Sequence, residues 1–269
     1  MNKLIEIVGC RIILLYGILL YSCQKDVHII GDMAASGLAK VNVIDAVVTG
    51  GNAKVNVSTK QIYWNSLPNN VVNGGQVLGN LMPGRLFRVP ADRNTVMQVV
   101  PVNDTTQMWY NNITKLNAGK VYSLYLSGTP ENIKALFHEE IDFPKYIVRD
   151  VMKSTPSADS IVNIRFINLS PSGPKVDINI QEKNTLEAKN LNYQAFTNFK
   201  TYPAKSGIES IKFEIRKSSD KSLVTTYDLS VDEFRFKSVV IFIMGIYDPE
   251  YQLPIASTDR YQIMTMPYQ

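Results

Sequence analysis

Cysteine, histidine and tryptophan are the scarce residues of this chain, with two of each in 269 residues. Both cysteines, Cys10 and Cys23, lie near the start. Nothing after Cys23 can therefore form a disulfide, a thiolate metal site or a cysteine nucleophile. The two imidazoles, His28 and His138, are far apart in the sequence, which disfavours a shared zinc or a nucleophile and base pair. A spanning helix is missing too, because the apolar run Ile12 to Leu20 is far short of the roughly 20 residues it would need. Lys and Arg number 28 against 24 Asp and Glu, a net charge of +4. They are mixed along the chain with no basic stripe, so no nucleic-acid partner is expected. No segment keeps a capped 3.6-residue apolar period, so helices do not build the fold.

Catalytic groups are also sparse. Glu139, Glu140 and Asp142 form the densest carboxylate cluster. A general acid and base pair needs two carboxyls facing across a cleft, and three crowded together before a linker read as hinge solubilisers. Asp45, Asp92 and Asp104 lack the D-x-D-x-D-G spacing of a calcium loop. The expectation is a chain with no catalytic residues, no metal and no cofactor, and not an enzyme. A hydrolase with dispersed catalytic residues is the competing class.

What is present begins with the signal. A short polar start closed by Arg11 precedes the apolar run, and Leu20-Tyr21-Ser22-Cys23 follows at once. This is the layout of a bacterial lipoprotein signal, cut before Cys23, whose thiol then carries lipid. Tyr21 is unusual two residues before the cysteine, so ordinary cleavage leaving a plain thiol is the alternative. Residues 1–22 read as signal peptide and 23–38 as a lipidated tether. Two or three acyl chains at about 0.8 kcal/mol per buried CH₂ would hold the protein on a bilayer.

The remainder contains an internal repeat. Val41 to Asp45 matches Ile164 to Asn168, and Lys54-Val55-Asn56-Val57 matches Lys175-Val176-Asp177-Ile178. Phe87 to Ala91 parallels Phe199 to Ala204, and Val121 to Gly128 parallels Ser238 to Gly245. The order is kept throughout. Within the units, Val176, Ile178 and Ile180 alternate with polar neighbours, as do Ile211, Phe213 and Ile215, which is the period of a half-buried strand. Val239 to Met244 is apolar on both faces, as in a central strand covered on each side. Ser170-Pro171-Ser172-Gly173 supplies a tight turn. The expected fold is all-β, two tandem immunoglobulin-like antiparallel β-sandwiches over 39–140 and 161–269. Residues 141–160, with Pro144 and Pro156, form the linker.

Val162 to Ile180 (VNIRFINLSPSGPKVDINI), Tyr193 to Lys205 and Leu116 to Gly128 resemble the bacterial "domain of unknown function 4397" family. Asp45-Ala46-Val47 departs from that family's N-x-S-P turn. The resemblance implies tandem immunoglobulin-like sandwiches in secreted or lipid-anchored proteins, and no activity. Gln24-Lys25-Asp26 after the cysteine resembles the lipoproteins of the Bacteroidetes. Asp104-Thr105-Thr106 and Asp159-Ser160-Ile161 resemble an O-glycosylation acceptor motif of those bacteria. The outer membrane is the implied location, facing outward or toward the periplasm.

Aromatic side chains give the one binding hint. Trp64 precedes a loop rich in Gly and Asn, and Trp109 and Tyr110 are neighbours in a strand, where successive side chains point to opposite faces. An exposed member of either group would offer a stacking platform for sugar rings, and packing between sheets is the alternative. The sequence thus reads as a non-catalytic cell-envelope lipoprotein, a scaffold or binding module held to the membrane through Cys23. A glycan or an envelope protein would be its partner, and the sharper alternative is a glycan-capturing surface protein.

Overall fold

A computed structural model describes residues 37–58, 60, 64, 71–72, 84–141, 160–183, 185–248 and 260–268. The signal, Cys23, His28, Asp142 and almost all of the linker lie outside them. Eight described strands precede the linker: β1 (Leu38–Val47), β2 (Ala53–Ser58), β3 (Val71–Val72), β4 (Gly84–Pro90), β5 (Asn94–Pro101), β6 (Tyr110–Lys115), β7 (Val121–Thr129) and β8 (Asn132–Glu139). Eight follow it: β9 (Ile161–Asn168), β10 (Val176–Ile180), β11 (Leu186–Leu191), β12 (Lys200–Pro203), β13 (Ser210–Lys217), β14 (Leu223–Ser230), β15 (Ser238–Met244) and β16 (Gln262–Pro267). A single helical turn, α1 (Val231–Phe234), interrupts the second set.

Each set folds into two four-stranded sheets. The first has orders β4-β1-β7-β8 and β3-β2-β5-β6, the second β12-β9-β15-β16 and β11-β10-β13-β14. Adding eight to every strand number of the first set gives the second, so the repeat read from short sequence matches extends to the whole topology. Pairing is antiparallel except for β1 with β7 and β9 with β15, which run parallel.

Period-two patterning builds both interiors. Val41, Val43, Val55, Met97, Val99, Leu124 and Leu126 close the first sandwich. Val176, Ile178, Ile211, Phe213, Ile215, Val239 and Ile241 close the second. The Ser170 turn forms as its sequence requires, with the Gly173 amide donating to the Ser170 carbonyl at 3.4 Å. Local conformation repeats even where sequence does not. The Ser170 amide donates to Asn168 Oδ1 at 3.1 Å, and the Val47 amide donates to Asp45 Oδ1 at 3.0 Å. One match shifts by a residue: register pairs Val41 with Phe87 but its counterpart Ile164 with Lys200. Phe199 is thereby displaced from the Phe87 position.

A third core lies between the sandwiches. Ile44, Ala46 and Tyr125 from the first meet Ile167, Leu169, Val240, Phe242, Met244, Met266 and Tyr268 from the second. Alternation along β15 accounts for it, because Val239, Ile241 and Ile243 enter their own sandwich while Val240, Phe242 and Met244 enter the seam. Burying ten such side chains at about 1–3 kcal/mol each is worth on the order of 10 kcal/mol before ordering costs. Residues Gly31–Gln269 accordingly form one compact unit.

Candidate functional site

The seam is also where buried polar groups concentrate. On β1, Val41 and Val43 point into the first sandwich, so Lys40 and Asn42 point to its outer face, and both are buried there. Across the seam stands Arg165, the largest fully buried side chain, 1% exposed. Its guanidinium donates to Glu140 Oε2 in a short buried ion pair. Its flat face lies 4.3 Å from the ring centre of Phe199 and 4.9 Å from that of Phe196. The displacement of Phe199 therefore has a use, since it brings the ring onto a cation.

Glu140 is the hub. Its other oxygen accepts from the Tyr268 hydroxyl at 2.8 Å. Tyr268 in turn contacts the Tyr125 hydroxyl at 2.5 Å and Ser123 Oγ at 3.1 Å. Burial, and then the charge of Glu140, push the Tyr125 phenol up to about 12. Burial raises Tyr268 as well, followed by the nearby Tyr125 and Glu140. Both phenols thus stay protonated and act as donors. His138 Nε2 lies 3.5 Å from Glu140 Oε2, with its ring 4.6 Å from that of Phe196. Ser127 and Tyr193 add a hydroxyl contact of 2.9 Å between the repeats. A charge pair taken from water costs several kcal/mol per ion unless its geometry is good. Its clearest effect here is registry, since one arrangement of the two sheets satisfies it.

This corrects the sequence reading of the carboxylates. Glu140 is not a hinge solubiliser but is 4% exposed, whereas Glu139, paired with Lys120 at 3.1 Å, stays near water. Sequence reasoning missed Arg165 because alternation in a strand flags polar residues as outward. Outward from one sheet was here inward to the seam.

Beside the network lies a recess of about 310 Å³ lined by Asn42, Gly84, Arg85, Leu86, Arg88, Met266 and Pro267. It is open to solvent at the β4 edge, where Arg85 and Arg88 are exposed. Asn42 is 3% exposed, and its amide nitrogen has no hydrogen-bond partner.

The aromatic candidates are dispersed. Trp109 is 7% exposed inside the first sandwich. A Cβ on Gly50 would come within 2.7 Å of its ring, so the tryptophan fills space that the glycine leaves. It is a core residue and offers no stacking face. Tyr110 packs partly against the same core, and its hydroxyl accepts from Asn112 at 3.2 Å. Trp64 is half-buried, and the residues next to it lie outside the described set. Cys23 lies outside it as well. Asp45 is buried in β1 and Asp104 holds its own turn through Thr106, so no shared cation site joins them. Among the described residues no group of His, Cys, Asp or Glu could hold a metal ion. Of the acceptor motifs, Ser160 is 1% exposed, out of reach of a modifying enzyme, whereas Thr105 at the equivalent place is half-buried.

Fold and seam together define a tandem β-sandwich protein whose two repeats share a buried polar interface. No family model matches the chain, and no curated protein does. Among solved structures, the C-terminal domain of AlgF from P. aeruginosa matches at 12% identity and a TM-score of 0.24, over 42% of this chain and 100% of that one. A family 26 carbohydrate-binding module from Eubacterium rectale Amy13K, in complex with maltoheptaose, matches at 9% identity and a TM-score of 0.24, over 82% and 99%. Family 41 carbohydrate-binding modules from streptococcal virulence factors match at 15% identity and a TM-score of 0.22, over 79% and 94%. Scores of this size carry no weight for the role of this chain.

Proposed function

We propose that this protein is a non-catalytic lipoprotein of the bacterial outer membrane, anchored through Cys23, whose paired sandwiches serve as one binding or scaffolding body. The observation that supports a binding role best is the seam. It commits a buried ion pair and two phenols to joining the repeats, and beside them it leaves a walled recess with an unpartnered amide. The buried acid and base are paired to each other, so neither is poised for turnover. The glycan-capturing form of the reading rests on this recess and on Trp64, not on Trp109.

The anchor is tested by Cys23→Ala, which should abolish labelling by a clickable fatty acid and leave the folded body unchanged. Proteolysis of intact cells then separates outward from periplasmic exposure. Persistent label on the variant would refute the anchor, and turnover of a generic ester, glycoside or peptide that survives purification would refute the non-catalytic reading.

A further inference from the structure

Every position of the seam occurs twice, once in each repeat, and the two copies of one position have diverged. The backbone fixes the correspondence. Glu140 and Tyr268 donate equivalent amide bonds, to the Val121 and Ser238 carbonyls at 2.8 and 2.9 Å. Lys40 and Asn163 do the same, to the Lys120 and Lys237 carbonyls, each at 3.0 Å. Since Asp45 corresponds to Asn168, Asn42 corresponds to Arg165. Register pairs Lys40 with Arg88 and Asn163 with Thr201, so Arg88 corresponds to Thr201.

At the second repeat's copy the site is complete. Arg165 fills the space and Glu140 on the facing strand end neutralises it, while Thr201 donates to Asn163 at 2.7 Å as a neutral pair. In the first repeat the arginine is replaced by the shorter Asn42, and the residue at the Glu140 position is Tyr268, whose neutral hydroxyl donates to Glu140 itself. The neutral pair has become Lys40 beside Arg88. Lys40 is held below its ordinary pKa by burial and then by the charge of Arg88. No carboxylate of the described residues pairs with Arg88. Where the second repeat has Arg165, the first has Asn42 on the wall of the recess, with the exposed Arg88 at its rim.

We propose that this recess binds a small organic ligand through a carboxylate. Arg88 supplies a charge-assisted contact at the rim, and the Asn42 amide donates from the buried wall. Leu86, Met266 and Pro267 pack the ligand's carbon skeleton. The volume lies at the low end of the range for small-molecule sites. This assignment deepens the binding role proposed above and rests on it. It is independent of where the protein is anchored.

The experiment is calorimetric titration of the folded protein with glucuronate, glutarate, glucose and inorganic phosphate, with amide chemical-shift mapping in parallel. The expected result is binding of glucuronate or glutarate, with amide shifts confined to residues 40–44, 84–88 and 266, and weakening as salt screens the exposed charge. Which carboxylate binds more tightly distinguishes a sugar acid from a simple dicarboxylate. Arg88→Ala, an exposed position that should not disturb folding, should weaken binding by about tenfold or more. Asn42→Leu should abolish it, and an unchanged amide spectrum away from the recess would show that the variant is folded. Equal affinity for glucose or phosphate, shifts elsewhere, an unaffected Arg88→Ala or no binding of either carboxylate would overturn the site. Retention on neutral glycans by a protein that fails these tests would refute the carboxylate site and leave the general binding role standing.

Discussion

Replacing Asp45 by asparagine should stabilise the protein by an amount that grows as pH rises from about 4 to about 7 and is level above that. Asp45 is fully buried in β1, with Oδ1 accepting the Val47 amide at 3.0 Å and Oδ2 lacking any partner. Its counterpart Asn168 makes the same turn but carries an amide, which donates to the Leu191 carbonyl at 3.2 Å. Burial pushes the Asp45 carboxyl from 3.8 up to about 7, against the opposing pull of the Val47 amide. Between those pH values the folded chain holds a proton that the unfolded chain has lost. Stability therefore falls as pH rises from about 4 to about 7 and is level above that. Roughly three pKa units at about 1.4 kcal/mol each give a ceiling near 4 kcal/mol. Asp45→Asn removes the cost, because a neutral amide needs no proton. Urea unfolding followed by circular dichroism should show the variant ahead by up to about 4 kcal/mol at pH 8 and close to the parent at pH 4. A gain of the same size at both pH values, or a loss at pH 8, would refute the reasoning.

Three further outcomes are expected. Gly128→Ala should lower stability by about 2 kcal/mol or more, since φ is +97° and a Cβ would meet the Asn132 carbonyl oxygen at 2.3 Å. Gly84→Ala should cost much less, because the group at 2.4 Å is the flexible tip of Met266, and thermal melts of the two variants check the contrast. Arg165→Met should destabilise by about 3–5 kcal/mol by leaving Glu140 buried without its cation, and adding Glu140→Gln should recover much of that in a double-mutant cycle. Proteolytic nicking within Ser154 to Ser160 should leave halves that co-elute on size-exclusion chromatography, held by the shared core. Separation of the halves at moderate salt would show that the seam is weaker than its buried side chains imply.

The sequence was most legible where a pattern had one physical cause. Alternation in Val176 to Ile180 and Ile211 to Ile215 marked strands because each has one face in its own sandwich and one outside. The repeat was legible because turns and strand starts need particular residues, as at Ser170 to Gly173. The seam was only half legible. The double-faced apolar run of β15 announced that both its faces were covered, yet it could not say that the second cover was another domain. Arg165 gave no signal and Glu140 was read as solvated, since a charge that is buried by a partner sheet looks, in one dimension, like a charge in water. Trp109 was ambiguous for a related reason: the sequence does not say which face is covered, and the structure puts the ring in the first core against Gly50.

The two repeats meet through equivalent faces, as identical subunits do across a two-fold axis. A true homodimer would be obliged to repeat every interface residue, so an acid at the Glu140 position would bring a second acid in place of Tyr268. Writing both copies into one chain removes that obligation and lets one half of the contact specialise in cohesion while the other stays open. It also removes concentration from the equilibrium. A site assembled across a dimer interface dissolves when subunits become sparse, whereas this one is present in full on every single molecule, at whatever density the chain is displayed.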